Sequence, residues 1–220
     1  LYLSFGTRVR LVLAAALLAA VTVFTICVPA PGSAAGVDPF SAAGNFGCWL
    51  DRTILGAHKL GLRLTTKNLG KEPFRFREGY HPYFAVSDCY AVTLSGVDGC
   101  VYESSRDLPC DVTHVWQGKV PEWPGCDLFK FKEPKSVITL EDPAWKRAIV
   151  LTTTGARDVV TWCQDVKGSK GGKSMNILPE ECKSYFCIEP SNFFAESEIA
   201  LAKGESHVFE TIITVKEIEK

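Results

Sequence analysis

From Lys59 onward the chain alternates. Leu60, Leu62 and Leu64 are separated by Gly61, Arg63 and Thr65, a period of two that predicts a half-buried strand over Lys59–Asn68. Asn68-Leu69-Gly70-Lys71 reads as the turn that follows. Phe74 and Phe76 alternate with Arg75 and Arg77 and lead straight to His81, and Tyr90, Val92 and Leu94 alternate before Ser95-Gly96 and a turn at Val97-Asp98-Gly99. Val137–Leu140, Arg147–Thr152 and Val159–Cys163 repeat the strand signal, joined by turns at Glu141-Asp142-Pro143-Ala144 and Thr154-Gly155-Ala156. Ser184–Ile188 reads as a buried strand, and His207, Phe209, Thr211, Ile213 and Val215 share one face of a closing strand. Between Glu103 and Pro124 the alternation breaks, and Pro109, Pro121 and Pro124 predict an ordered loop or short edge strands. Residues 36–57 are rich in Gly and Ala and read as irregular.

No window carries a helical period and no segment repeats. Many short strands joined by Gly, Pro and Asp turns predict an all-β sandwich or barrel.

The start of the chain is different. Arg8 and Arg10 precede an uncharged stretch from Leu11 to Val28, and Pro29, Pro31 and Gly32-Ser33-Ala34-Ala35-Gly36 follow it. A basic start, an apolar middle and a small-residue end are the parts of a secretory signal, with Ala35 at the cleavage position. The same stretch is near the length of a membrane anchor, about 17–20 residues. The expected organisation is therefore a signal-like or anchor-like segment over 1–35 and a sandwich over 36–220. Export or membrane anchoring follows if that segment is a genuine signal, and a cytoplasmic location follows if it is instead a fragment or a rearranged remnant of an N-terminal sheet region.

Composition narrows the partners. Of 220 residues, 46% are hydrophobic and 22% charged, which is globular, and a formal net charge of −1 offers no electrostatic footprint for nucleic acid. Contact with a membrane is expected only through the N-terminal apolar segment. The 9 cysteines contain no C-x-x-C pair and have no His-rich neighbourhood, which argues against structural zinc. They read either as disulfide partners, as in an exported adhesion-type sandwich, or as small buried hydrophobes, as beside Trp162 and Phe186.

The candidate chemistry centres on Gly79-Tyr80-His81-Pro82-Tyr83-Phe84. Pro82 biases His81 toward extended backbone, and aromatic residues flank an imidazole able to move protons near neutral pH. Its complement is Glu189, placed at the end of the apolar run Phe186-Cys187-Ile188, where burial raises a carboxyl toward the range of a general base. The plain alternatives are a hydrogen-bonded structural histidine and a glutamate reaching water.

From about Leu60 onward the chain resembles the aldose 1-epimerase, or galactose mutarotase-like, superfamily, and within it the hexose-6-phosphate mutarotase branch. The matching pieces run in order. They are Leu62-Arg63-Leu64-Thr65-Thr66-Lys67-Asn68, Tyr80-His81-Pro82-Tyr83-Phe84, Leu94-Ser95-Gly96-Val97 with Tyr102, and Cys126-Asp127-Leu128-Phe129. Leu140-Glu141-Asp142-Pro143 with Trp145 and Arg147, Val159-Val160-Thr161-Trp162, Cys187-Ile188-Glu189-Pro190 and Leu201-Ala202-Lys203-Gly204-Glu205-Ser206 complete the set.

The resemblance implies a galactose mutarotase-like antiparallel β-sandwich lacking some N-terminal strands. It implies interconversion of the α and β anomers of an aldose or hexose 6-phosphate, with no metal or cofactor. Glu189 would act as base on the C1 hydroxyl and His81 as acid on the ring oxygen, from opposite sides of one acetal carbon. Asp127 would contact sugar hydroxyls, and Tyr83, Phe84 and Trp162 would stack on the apolar face of a pyranose or pack in the core. The chain departs from the pattern in three places. No His-Gly-x-x-Arg-like segment precedes Leu60, Trp162-Cys163-Gln164 stands where Trp-Asn-Pro is usual, and Asn176 stands for Asp. These departures leave open a sandwich that binds carbohydrate with impaired catalysis.

Overall fold

The computed structural model describes residues 25–29, 46–104, 113–115, 126–131, 135–163 and 182–219. In chain order the strands are β1 (Thr25–Pro29), β2 (Phe46–Ile54), β3 (Lys59–Asn68), β4 (Phe74–Tyr80) and β5 (Tyr83–Ala85). They continue as β6 (Thr93–Ser95), β7 (Val101–Ser104), β8 (Thr113–Val115), β9 (Cys126–Lys130) and β10 (Lys135–Asp142). The last are β11 (Arg147–Thr154), β12 (Asp158–Trp162), β13 (Tyr185–Ser191), β14 (Ile199–Leu201) and β15 (Ser206–Glu217). Helical turns among the described residues are short 3-10 segments, and no helix there is long and apolar enough to cross a membrane.

The strands form two antiparallel sheets, an all-β sandwich. One runs β1-β4-β13-β12-β9-β7-β8, with β14 on β4 and β5 on β13, and the other runs β2-β3-β15-β11-β10-β6. Their inner faces meet through Leu62, Leu64, Phe84, Phe129, Leu140 and Phe209, all buried. Tyr80 joins them directly, its ring stacked on Phe209 at 4.4 Å and its hydroxyl donating to the Phe209 carbonyl at 2.9 Å. A buried phenol keeps its polar end satisfied in this way, so the aromatic contributes area without an orphaned donor.

The alternation that predicts β3 has the physical consequence expected of it. Leu62, Leu64, Thr66 and Asn68 are its buried positions. Asn68 is tolerated inside because its amide donates to the carbonyls of Glu72 and Leu201 at 2.9 and 3.0 Å, while its oxygen accepts from Gly70 N at 2.9 Å.

Two expectations are corrected at the N-terminal side. Residues 46–54, read as irregular, form the strand β2, paired along its length with β3. It lies at the end of its sheet, where a strand needs a partner on one side only and the apolar alternation that marks a central strand is not required. Thr25–Pro29, inside the signal-like segment, runs antiparallel to β4 with Thr25 opposite Tyr80 and Pro29 opposite Phe76, so the sheet reaches N-terminal of the expected boundary at 36. The features at 1–24 and 30–35, most of Glu103–Pro124, the Lys- and Gly-rich run 166–173 and Asn176 lie outside the described residues.

One irregularity organises the rest. Strand β13, buried at every position, pairs with β5 from Tyr185 to Cys187 and meets β4 again only at Ser191 opposite Gly79. Between these points the ladder is interrupted, with Ile188–Pro190 facing the connection Tyr80–Pro82. Ser184 O accepts from Val86 N and Asn192 N donates to Glu78 O, so the even-numbered residues of β13 direct their backbone groups to this side. The N–H that Pro190 lacks would therefore point into the interruption, where no ladder bond is lost. β13 runs on through Pro190 for that reason, and Glu189 lies inside the strand, not at its end as the sequence suggests.

Gly79 sets how closely β4 approaches. A Cβ there would lie 2.9 Å from the Phe193 ring and 3.0 Å from Ser191 Cβ. A side chain would push β4 off β13 at the edge of the interruption.

Candidate active site

The interruption releases His81 from both strands. Its Nε2 lies 3.2 Å from Oε1 of Glu189, with side-chain exposures of 19% and 7%. The register is the same on both sides of the gap, Tyr83 opposite Cys187 and Gly79 opposite Ser191, so alternation sets His81 opposite Glu189 on one face of the sheet.

Neighbouring strands supply the walls. Tyr83 is opposite Cys187, Cys187 is opposite Trp162, and Trp162 is opposite Cys126, so these four form one cross-strand row over β5, β13, β12 and β9. Residues paired directly across antiparallel strands share a face, as do residues two apart on one strand, which places Tyr185 and Glu189 on the same face as Cys187. Tyr83 stacks on His81 with centroids 4.8 Å apart and planes 18° from parallel. Trp162 meets both edge-on, at 6.0 Å from His81 and 6.1 Å from Tyr83. Tyr185 closes the group at 5.4 Å from Tyr83 and 5.7 Å from Trp162.

The stretch carrying His81 and Tyr83 is tied to the opposite sheet. Ser87 donates to Asp142 through its N–H at 2.8 Å and its hydroxyl at 2.6 Å, and Arg147 donates to the Ala85 carbonyl. Arg147 also lies over the Trp145 ring at 4.5 Å. Asp142 caps the 3-10 turn Pro143–Trp145, so the Asp-Pro turn seen in the sequence serves to anchor the segment beside the site.

Burial governs the titration of the group. It raises the Glu189 carboxyl to about 8 and lowers the His81 imidazole below its ordinary value of 6.5. A charged imidazole 3.2 Å away would pull the carboxyl down, but burial also drives that imidazole toward neutrality, and burial wins for both. Burial first, then Cys187 and Glu189, raises the Tyr83 phenol, and burial first raises the Cys187 thiol.

Of the residues singled out in the sequence, His81, Glu189, Tyr83 and Trp162 come together. Phe84 does not, being fully buried in the core between the sheets. Asp127 is also separated from them. It pairs with Thr161 and Ser104, and its β9 neighbour of the same parity, Phe129, belongs to the core, as does Val159 on β12. Asp127 therefore lies on the core face of the sheet, with Cys126 in the cross-strand row of the site. Cys187 and Tyr185 are the residues that sequence reading did not nominate. Their spacing of two and four from Glu189 on one strand is the signal that marks them.

Comparison with known proteins bears on this arrangement. Residues 42–214 match the family model described as aldose 1-epimerase. A protein of Cenchrus ciliaris that carries the provisional name glucose-6-phosphate 1-epimerase is 29% identical over 150 residues, which is 68% of this chain and 44% of that protein. Among solved structures, the Slr1438 protein of Synechocystis sp. PCC 6803 superposes with a TM-score of 0.61 at 17% identity, over 90% of this chain and 62% of that one. An Escherichia coli K12 protein described provisionally as an aldose 1-epimerase gives 0.59 at 18%, over 90% and 66%. At such identities the structural likenesses speak for a galactose mutarotase-like sandwich, and the match across most of the sequence speaks for descent. The chain belongs to the aldose 1-epimerase family.

Proposed function

We propose that this protein interconverts the α and β anomers of an aldose, with Glu189 as base and His81 as acid. The observation that carries the proposal is their direct apposition at 3.2 Å beside the rings of Tyr83 and Trp162. An anomeric carbon bears two oxygens, the C1 hydroxyl and the ring oxygen, and an acid and a base lying side by side can reach both at once. Each group then exchanges its contact with the other for a hydrogen bond to one sugar oxygen.

The ionised Glu189 takes the proton of the C1 hydroxyl as the C1 carbonyl forms. The bond from C1 to the ring oxygen breaks, its electron pair stays on that oxygen, and the His81 imidazolium supplies the proton. Rotation about C1–C2 presents the other carbonyl face, and the reversed transfers close the ring. Through this cycle the pair holds a constant number of protons. The charged pair becomes a carboxylic acid beside a neutral imidazole when the ring is open, which is the form that burial favours. The site thus stabilises the open-chain stage without metal or redox chemistry in the step itself. Tyr83 and Trp162 present ring faces and edges on which the C–H face of a pyranose can rest.

The finer reading is a hexose 6-phosphate as substrate, supported by the sequence resemblance and by the name of the Cenchrus ciliaris relative. Polarimetry of freshly dissolved α-glucose and of its 6-phosphate, with and without the purified chain, tests both levels. Acceleration that Glu189→Gln abolishes supports the acid–base reading, and a larger kcat/KM on the 6-phosphate supports the finer one. Decay at the buffer rate in both cases would reject catalysis and leave a carbohydrate-binding sandwich.

A further inference from the structure

Cys187 has no part in the proton transfers above, yet its sulfur lies among the groups that perform them. One donor atom each from His81, Cys187 and Glu189 fall within 4.8 Å of one another. Cys187 and Glu189 project from the same face of β13, and His81 enters from the interruption opposite. The three donors therefore converge from two directions on one point.

The spacing suits a small tetrahedral ion. Bonds of about 2.0–2.1 Å to nitrogen and oxygen at the tetrahedral angle place those donors about 3.3 Å apart. His81 Nε2 and Glu189 Oε1 already stand at 3.2 Å. A sulfur ligand at about 2.3 Å from the same ion needs a side-chain adjustment of about 1 Å. An imidazole nitrogen, a thiolate and a carboxylate oxygen form a mixed set that selects zinc-class ions over magnesium or calcium, which take oxygen ligands. Three protein ligands leave a fourth position open, and the partly exposed His81 marks the side from which it is reached.

We propose that His81, Cys187 and Glu189 form a three-ligand site for a zinc-class divalent cation, open toward the sugar pocket, so that ion and sugar exclude one another. Coordination releases two protons to solvent, the thiol's and the one held by Glu189 and His81, and forms a metal–thiolate bond. It occupies both proton-transfer groups, and a sugar hydroxyl can no longer reach them. The metal site stands on the three donors alone, whereas the exclusion of sugar rests on the mutarotase reading.

Cobalt(II) added to the metal-free full chain tests the site, because a cobalt–thiolate bond gives a charge-transfer absorption in the near ultraviolet. The expected result is saturation at one equivalent, displacement of the band by zinc, and loss of the band in Cys187→Ser. Cys89→Ser, at a buried thiol outside the three-donor group, keeps it. No band in the unaltered chain, or a band that persists in Cys187→Ser, overturns the site. Should circular dichroism show Cys187→Ser unfolded, His81→Ala and Glu189→Gln are each expected to weaken cobalt binding by about tenfold or more. Unchanged affinity in both overturns the site equally. Glucose 6-phosphate is expected to lower the apparent cobalt affinity, and zinc to raise KM. A chain that binds cobalt through Cys187 but does not mutarotate upholds the site and overturns only the catalytic reading.

Discussion

His81 Nε2 and Glu189 Oε1 meet at 3.2 Å across a gap in the ladder, where the connection between β4 and β5 faces β13. The contact is thus held by the strands around it, and burial acts on both partners at once. Mutarotation requires the pair to hold one proton between them. A second proton enters at the imidazole, which burial lowers below 6.5, and the last leaves from the carboxyl, raised to about 8. The rate, corrected for the buffer reaction, is expected to follow a bell with its acid limb below 6.5 and its basic limb near 8. A profile still rising above the basic limb would contradict this assignment.

Replacing Glu189 by Gln keeps the shape and removes the base. A loss of about 10²–10⁴-fold in kcat is expected. The same variant tests the titration in the folded protein. The folded carboxyl titrates at about 8 against 4.5 for the ordinary group, so the native state holds the proton that the unfolded chain has released. Stability contributed by this group is therefore full below 4.5 and is lost as pH rises toward 8. Denaturant melts should show the unaltered chain losing on the order of a few kcal/mol across that interval from this residue, and Glu189→Gln losing less. Parallel curves for the two proteins would place the carboxyl at an ordinary value.

The strands around this pair were legible to different degrees, for physical reasons. Lys59–Asn68 is found where alternation puts it, because one face packs on the core and the other does not. Phe46–Ile54 escapes detection because an edge strand needs no such contrast. The end of β13 was misplaced because proline argues against a ladder, and what admits Pro190 is an interruption contributed by a segment about a hundred residues away in sequence. Residue types and the family-like motifs around them single out His81 and Glu189, which the structure brings into contact. Cys187 and Tyr185 could have been found from spacing alone. The motif marks Asp127 but not which face it takes, since a shift of one residue along a strand exchanges the two faces.

In the proposed mechanism Tyr83 positions His81, on which it stacks at 4.8 Å. An aromatic pair of this kind contributes about 0.5–1.5 kcal/mol, so Tyr83→Leu should lower kcat by up to about tenfold. Opening the stack admits water to the imidazole, and the acid limb should move up toward 6.5. Tyr83→Phe preserves the ring and should leave both the rate and the limb close to those of the unaltered chain. A Tyr83→Leu profile with an unmoved acid limb would remove the positioning role.

Asp127 distinguishes the core face from the site face. It is fully buried between Thr161 and Ser104, on the side of the sheet turned away from Trp162 and Glu189. Asp127→Ala should cost about 1–3 kcal/mol in denaturant melts by disturbing buried polar groups. KM for sugar should stay within about twofold, a difference of about 0.4 kcal/mol in binding. A tenfold rise in KM with an unchanged melt would instead place Asp127 against the substrate.

A second buried acid–imidazole pair lies on the core side of β4 and should behave in the opposite way to the first. Glu78 is fully buried, and His207 Nε2 of β15 reaches its Oε1 at 2.8 Å, close but poorly aligned for a hydrogen bond. Thr66 and Asn192 each donate to the same carboxylate at 3.4 Å. These contacts join β4 to β3 and β15, so the pair bridges the two sheets. Removing one member leaves the polar group of the other without this partner, which costs about 1–3 kcal/mol, whereas removing both costs less than the sum. His207→Ala should therefore lower the melting transition sharply, with Glu78→Gln restoring part of the loss in the double variant. Because Glu78 faces the core while His81 faces the pocket, kcat measured below the transition should change by less than about threefold, or about 0.7 kcal/mol. A strong loss of kcat in well-folded His207→Ala would show that the two acid–imidazole pairs are coupled through β4.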